Sequence, residues 1–203
     1  MKKLLILLFS FFLLGSPSVF ADDISDFQIE GISIGDSLLD YMTEDEILEE
    51  IERTKDYYSH LKEPYKYLEI YTNKNLQTFD SLAFLIKNTP TSEYISNKNE
   101  KYSIVSIRGL IDFTEDFYGC IKKRDEIAED LSKVFPNIQK TERNFESYIS
   151  TIVDGVYFEF DSGGVSKVVC LDYEETVRIK NNWTDNLSVT INSAEVVSWL
   201  RDY

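Results

Sequence analysis

The chain has 203 residues, with 36 acidic and 21 basic side chains and a net charge of −15. That balance argues against a nucleic-acid binder or an anionic-membrane binder, because both present phosphate charge that an acidic surface repels. It suits solubility, and it suits attraction of a cationic partner.

Lys2 and Lys3 open the chain, residues 4–14 form an apolar run, and Gly15, Ser16 and Pro17 break it. Val19 and Ala21 then stand at the −3 and −1 positions of a cleavage site. The pattern predicts a secretory signal peptide over 1–21, cut between Ala21 and Asp22. The apolar run is too short to span a bilayer, and no second long one follows. No cysteine stands directly after the cut to carry a lipid. The expected mature chain is therefore exported, periplasmic or secreted, with no membrane span or lipid anchor. Removal of 1–21, which takes away Lys2 and Lys3, leaves 182 residues with 19 basic and 36 acidic side chains, a net charge of −17. That length supports one good core or two small ones, and 22–203 is read as a single α+β domain with two pseudo-repeat halves.

Two capping-box patterns follow the leader: Ser37 with Asp40, and Thr43 with Glu46. The second opens a helix whose apolar face is Ile47, Leu48, Ile51, Tyr58 and Leu61, with Glu44, Glu49, Glu50 and Glu52 outside it and Pro64 closing the segment. Strands are expected over 65–71, 79–87 and 102–113, the last with Val105, Ile107, Ile111 and Phe113 on one face. The stretch 88–101, rich in Asn, Thr, Ser and Lys, reads as a loop. A second helix spans 115–135 up to Pro136, with an apolar stripe that only Arg124 interrupts. Strands over 145–153, 156–160 and 165–173 come next, the last two joined by a hairpin at Asp161-Ser162-Gly163-Gly164. A strand over 187–191 and a short helix, capped by Ser193 and carrying Val196, Val197 and Leu200, end the chain.

The expected fold is thus two helix-plus-three-strand antiparallel units, about 32–113 and 115–173, with the helices on one sheet face and a tail over 174–203. Cys120 on the second helix and Cys170 on a strand are the chain's two cysteines. An exported chain with one pair is expected to form one disulfide. It would close a loop of about 51 residues, worth roughly 4 kcal/mol in the chain-entropy model.

The helix-then-meander unit, with the entry Gly31-Ile32-Ser33-Ile34-Gly35 before the first helix, resembles the repeat of the β-lactamase inhibitor protein and of the SmpA-type outer-membrane assembly lipoprotein. The stretch 29–41 also looks like the start of exported bacterial proteins of this size. The lipoprotein's lipid-bearing cysteine has no counterpart here, and the resemblance carries no catalytic residues across. It implies a binding or scaffolding role in the cell envelope.

Catalytic signals are few. Gly35-Asp36-Ser37-Leu38 spells the block that names the GDSL serine esterases. Such an enzyme needs a histidine base near its C-terminus, oriented by an aspartate. The chain's one histidine, His60, lies 23 residues after Ser37, with Tyr57 rather than an aspartate three residues before it. Ser37 is therefore read as a helix cap shared with Asp40, and esterase activity is the least favoured function. His60 has no clustered partner to make a metal site. Asp154, Asp161 and Asp172 lack the spacing of a Ca²⁺ loop and suit turns and strand ends. No metal or cofactor is expected. The acidic run 44–52 is either a docking site for a basic partner or a solvated face with acids favourably near a helix N-terminus. Tyr65, Tyr67 and Tyr71 form the candidate binding surface, since aromatics with one wet end suit interfaces. The reading is a non-catalytic exported binding or scaffold protein with a protein partner. The alternative is an acidic inhibitor of a cationic secreted enzyme such as a lysozyme.

Overall fold

A small hairpin opens the computed structural model, which describes residues 24, 27–88, 101–147 and 149–201. The predicted leader, its cut between Ala21 and Asp22, and most of the 88–101 loop lie outside the described residues. Strands β1 (Gln28–Ile29) and β2 (Ile32–Ser33) pair antiparallel across Glu30 and Gly31. Both turn residues have positive φ, 54° and 79°, as a type I′ turn requires. A 3-10 turn, Leu38–Asp40, leads to helix α1 (Glu44–Thr54). The capping box on α1 is complete: Thr43 accepts from Glu46 N–H, and Glu46 reaches back to Thr43 N–H.

The remaining elements are β3 (Tyr67–Thr72), β4 (Ser81–Lys87), β5 (Ile104–Asp112), α2 (Phe117–Val134), β6 (Gln139–Glu146), β7 (Thr151–Glu159), β8 (Val165–Tyr173), α3 (Glu175–Asn181), β9 (Asn186–Asn192) and α4 (Ala194–Arg201). Strands β3 to β9 form one seven-stranded sheet in the order β3-β4-β5-β9-β8-β7-β6, with every neighbour antiparallel. The C-terminal strand β9 is the centre of the sheet. It joins the meander β3-β4-β5 to the meander β6-β7-β8, burying its alternate residues on both faces.

One sheet face carries the main core. Ile70, Phe84, Ile107, Ile191 and Phe158 line up across the register. They pack with Ile47 of α1, with Cys120, Ala128 and Leu131 of α2, and with Ile29, Ile32 and Leu38 of the N-terminal segment. Arg124, the break in the apolar stripe of α2, is buried because it pairs with Asp154 on β7 and with Asp125 at 2.7 Å. Cys120 and Cys170 are joined in a disulfide with their Cα atoms 6.0 Å apart, tying α2 to β8.

Both sheet edges are protected. At β3, the N–H of Tyr71 donates to Glu50 of α1 at 3.0 Å, and Thr54 Oγ1 donates to the Glu69 carbonyl. At the other edge β6 is exposed at seven of its eight residues and carries Lys140, Glu142, Arg143 and Glu146.

Several expected boundaries shift. The helix predicted through Leu61 ends at Thr54, whose hydroxyl is committed to the edge strand. Tyr58 and Leu61 then pack on the opposite face, with Trp199 of α4. Their helical spacing was coincidental, because they belong to a different core from Ile47 and Ile51. Val105 also parts from Ile107. A β-bulge between β4 and β5 turns it to the opposite face, where it meets Val196 and Trp199. The strand predicted over 145–153 is broken by a turn in which Ser150 N–H donates to the Ser147 carbonyl at 3.0 Å. Strand β7 instead runs unbroken through Asp154 and Gly155, the break expected before 156. Strand β6 and helix α3 were missed: both are polar or exposed, so neither shows an apolar period.

Candidate binding face

The sheet face opposite α2 has a mixed character. Only one end of it holds a buried apolar cluster: Leu61, Tyr67, Leu85, Val105, Val196 and Trp199. Across the middle, the register sets Tyr71, Ala83, Arg108, Thr190, Lys167 and Tyr157 in one row over β3, β4, β5, β9, β8 and β7. Tyr71, Arg108, Lys167 and Tyr157 are only partly buried. Further along lie the half-buried Leu110, Leu171 and Val153, and then Phe145, which is 47% exposed. Tyr173 continues the row at the β8 end, its ring 5.1 Å from the exposed Trp183.

Polar contacts anchor the β3 side of this face. Arg108 Nη2 lies 2.5 Å from the buried Glu69 carboxylate and 3.0 Å from the Tyr71 hydroxyl. Tyr58 O–H donates to the same carboxylate at 3.2 Å. Burial, reinforced by the Glu69 charge, pushes the Tyr58 and Tyr71 phenols above their usual range. Thr190 shares a 3.0 Å hydrogen bond with Ser188, so its hydroxyl is held in place beneath the two cations.

Lys167 differs from Arg108 in having no such partner. Among the described residues it joins no ion pair. Burial, with the nearby Arg108 charge, lowers its ammonium pKa to about 8. Neither cation belongs to the site residues expected from the sequence pattern. The available signal was a single cation inside an apolar run, Arg108 in Val105–Ser106–Ile107–Arg108–Gly109–Leu110 and Lys167 in Val165–Ser166–Lys167–Val168–Val169.

The three tyrosines singled out from sequence separate. Tyr65 lies before β3 and is 52% exposed. Tyr67 is 2% exposed, packed at 5.0 Å against Trp199 and donating to Glu195, so it offers no free surface. Tyr71 is part of the mixed face. Ser37 is a cap, though with different partners from those expected. Its Oγ accepts from Leu39 N–H at 3.4 Å and donates to the Lys101 carbonyl at 2.8 Å, while Asp40 N–H goes to the Ser37 carbonyl. The reciprocal Asp40 bond is replaced because a bridge to Ser103 ties this segment to the chain beyond the 88–101 loop. Ser37 is 3% exposed.

His60 is exposed on the turn after α1, its ring 6.5 Å from that of Tyr58. Asp154 is spent on Arg124 and Asn144, Asp161 sits in the exposed β7–β8 turn, and Asp172 pairs in register with Ile152. Among the described residues no group of three metal-ligating side chains forms. Several acids of the 44–52 run are engaged within the chain: Glu44 by Lys101 and Tyr102, Glu46 by Lys74, Glu50 by Arg53 and Tyr71, and Glu52 by Lys55. The Lys74 contact and the Thr43 cap hold the Glu46 carboxyl down at about 2. A cavity of about 210 Å³ between the N-terminal hairpin, α1 and β4 is lined in part by Glu30 and the Glu46–Lys74 pair. Glu30 is already occupied by the N–H groups of Gln77, Thr78 and Phe79.

No family model matches this chain, and neither a curated protein nor a solved structure does. The chain is an α+β protein with a disulfide. Among its described residues, no helix is long and apolar enough to cross a membrane.

Proposed function

We propose that this chain is a non-catalytic exported protein of the cell envelope that binds a protein partner, as a scaffold or adaptor, through the mixed face of its sheet. The observation that carries the reading is the asymmetry of the two faces. One is sealed by α1, α2 and the N-terminal segment, while the other keeps Tyr71, Tyr157, Tyr173 and Leu171 half-exposed beside Phe145 and Trp183. Partly exposed aromatics on a rigid sheet give large contact area for little conformational entropy. Export is supported by the leader pattern of 1–21 and by the disulfide.

Affinity capture from envelope extract tests this reading. The oxidised protein, a Tyr157→Asp variant and a Glu49→Lys variant are immobilised in parallel at low and high salt. One near-stoichiometric protein is expected on the wild type and on Glu49→Lys at both salts, and none on Tyr157→Asp. No partner at either salt overturns the reading. A partner released by salt and lost in Glu49→Lys replaces it with the acidic inhibitor of a cationic enzyme.

A further inference from the structure

We propose that Lys167 and Arg108 together receive a carboxylate side chain of the protein partner. The inference rests on the reading of the mixed face as the docking surface, and it names the chemistry at the centre of that surface. Arg108 and Lys167 occupy the same register row, with Thr190 between them. Two inter-strand spacings separate their backbones by about 9.6 Å, a gap that two long side chains can close over one bound group.

Each cation has donors to spare. Lys167 has three ammonium protons and no carboxylate partner among the described residues. Arg108 spends Nη2 on Glu69 and Tyr71, while Nη1 makes no hydrogen bond among the described residues. The local charge also fits a monovalent anion. Arg108 and Lys167 against Glu69 leave a surplus of one positive charge, which one carboxylate neutralises and a phosphate dianion would exceed. Tyr157, directly cross-strand from Lys167, supplies an aromatic surface beside the charge.

A macromolecular source is favoured because the site lies on a sheet face. The cavities of about 210 and 270 Å³ are lined by other residues. The unpaired ammonium is held at a desolvation cost, which a docked carboxylate would repay. The site therefore inverts the chain's overall sign: a protein of net charge −15 presents its partner with two cations. The local contact then fixes the orientation of the docked partner.

The test follows the backbone amides of Lys167, Thr190 and Tyr157 by ¹H–¹⁵N NMR in the oxidised protein at constant ionic strength. The probes are N-acetyl-aspartyl-phenylalanine amide, its asparaginyl analogue, and sodium benzoate. The expected result is saturable shifts with the aspartyl peptide and none with the asparaginyl one. Binding should weaken about tenfold in Lys167→Gln, the loss of one charge-assisted contact. Arg108→Lys, which keeps a charge opposite Glu69, should weaken it too. Equal shifts from the two peptides, unchanged binding by Lys167→Gln, or no saturable shift overturns the proposal. Saturation by benzoate alone replaces it with a small-acid site. If the peptides fail while Tyr157→Asp still abolishes partner capture, docking through this face stands and the carboxylate assignment falls.

Discussion

Replacing Lys167 by methionine should stabilise the protein near neutral pH and flatten its stability profile at mildly alkaline pH. Methionine keeps the unbranched length of the side chain and removes the charge. The ammonium titrates at about 8 in the fold because burial, and then the Arg108 charge, oppose it. In the unfolded chain it titrates near 10.4, and each pKa unit corresponds to about 1.4 kcal/mol. The full penalty is therefore on the order of 3 kcal/mol, and partial exposure of the side chain reduces the expected gain to about 1.5 kcal/mol. The sign follows from proton counts. A lysine depressed in the fold binds fewer protons there than in the unfolded chain between pH 8 and about 10, so wild-type stability rises across that window. Below pH 8 the ammonium is charged in both states and the penalty is complete. Arg108 of β5, Tyr157 of β7 with its Arg143–Glu159 neighbours, and the Glu69–Tyr71 pair of β3 face this group or its row. The tyrosines Tyr71, Tyr157 and Tyr173 are raised by burial, so they cost stability only where the unfolded phenols ionise, near pH 10 and above. Urea denaturation followed by circular dichroism from pH 6.5 to 9.5 separates the effects. The wild type should gain stability above pH 8, and Lys167→Met should start higher and stay flat. A variant no more stable at pH 7, with the same slope as the wild type, would refute the account of an unpaired, desolvated ammonium.

Further outcomes are expected. Reducing Cys120–Cys170, or replacing both cysteines by alanine, should lower stability by about 2–4 kcal/mol, read as a fall in denaturation midpoint under dithiothreitol. Trp199→Ala should cost about 3–5 kcal/mol, because the indole fills the cluster between Tyr58 and Tyr67 and donates to the Glu63 carbonyl at 2.9 Å. The chain's other tryptophan, Trp183, is 43% exposed, so iodide should quench emission from Trp183 and leave Trp199 nearly untouched. Thr43→Ala should cost about 1 kcal/mol through loss of the α1 capping box, measured by urea midpoint at neutral pH. Finally, a fluorophosphonate probe should leave Ser37 unmodified in the folded protein; labelling abolished by Ser37→Ala would revive the esterase reading, against its two hydrogen bonds and near-complete burial.

Local chemistry determined much of what is seen. Thr43 and Glu46 start α1 as their spacing requires, and the stripe on α2 buries Cys120, Ala128 and Leu131. The apolar runs became β4, β5, β8 and β9, and the two cysteines met. These features depend on contacts a few residues apart, or on a pair with no alternative mate. Tertiary structure decided the rest. Strand β9 reads as a tail in sequence, yet long-range pairing with β5 and β8 makes it the central strand. Tyr58, Leu61 and Val105 had the periodicity of one core and joined another, because a chain crossing at the β3 edge and a bulge in β5 reassign faces that local spacing cannot see. The exposed β6 carries no apolar signal of its own and takes its conformation from β7. The candidate site belongs to this second group. Arg108 and Lys167 are 59 positions apart in sequence and become neighbours only because β9 is inserted between their strands, a relation that exists in the register of the sheet and nowhere in the local pattern.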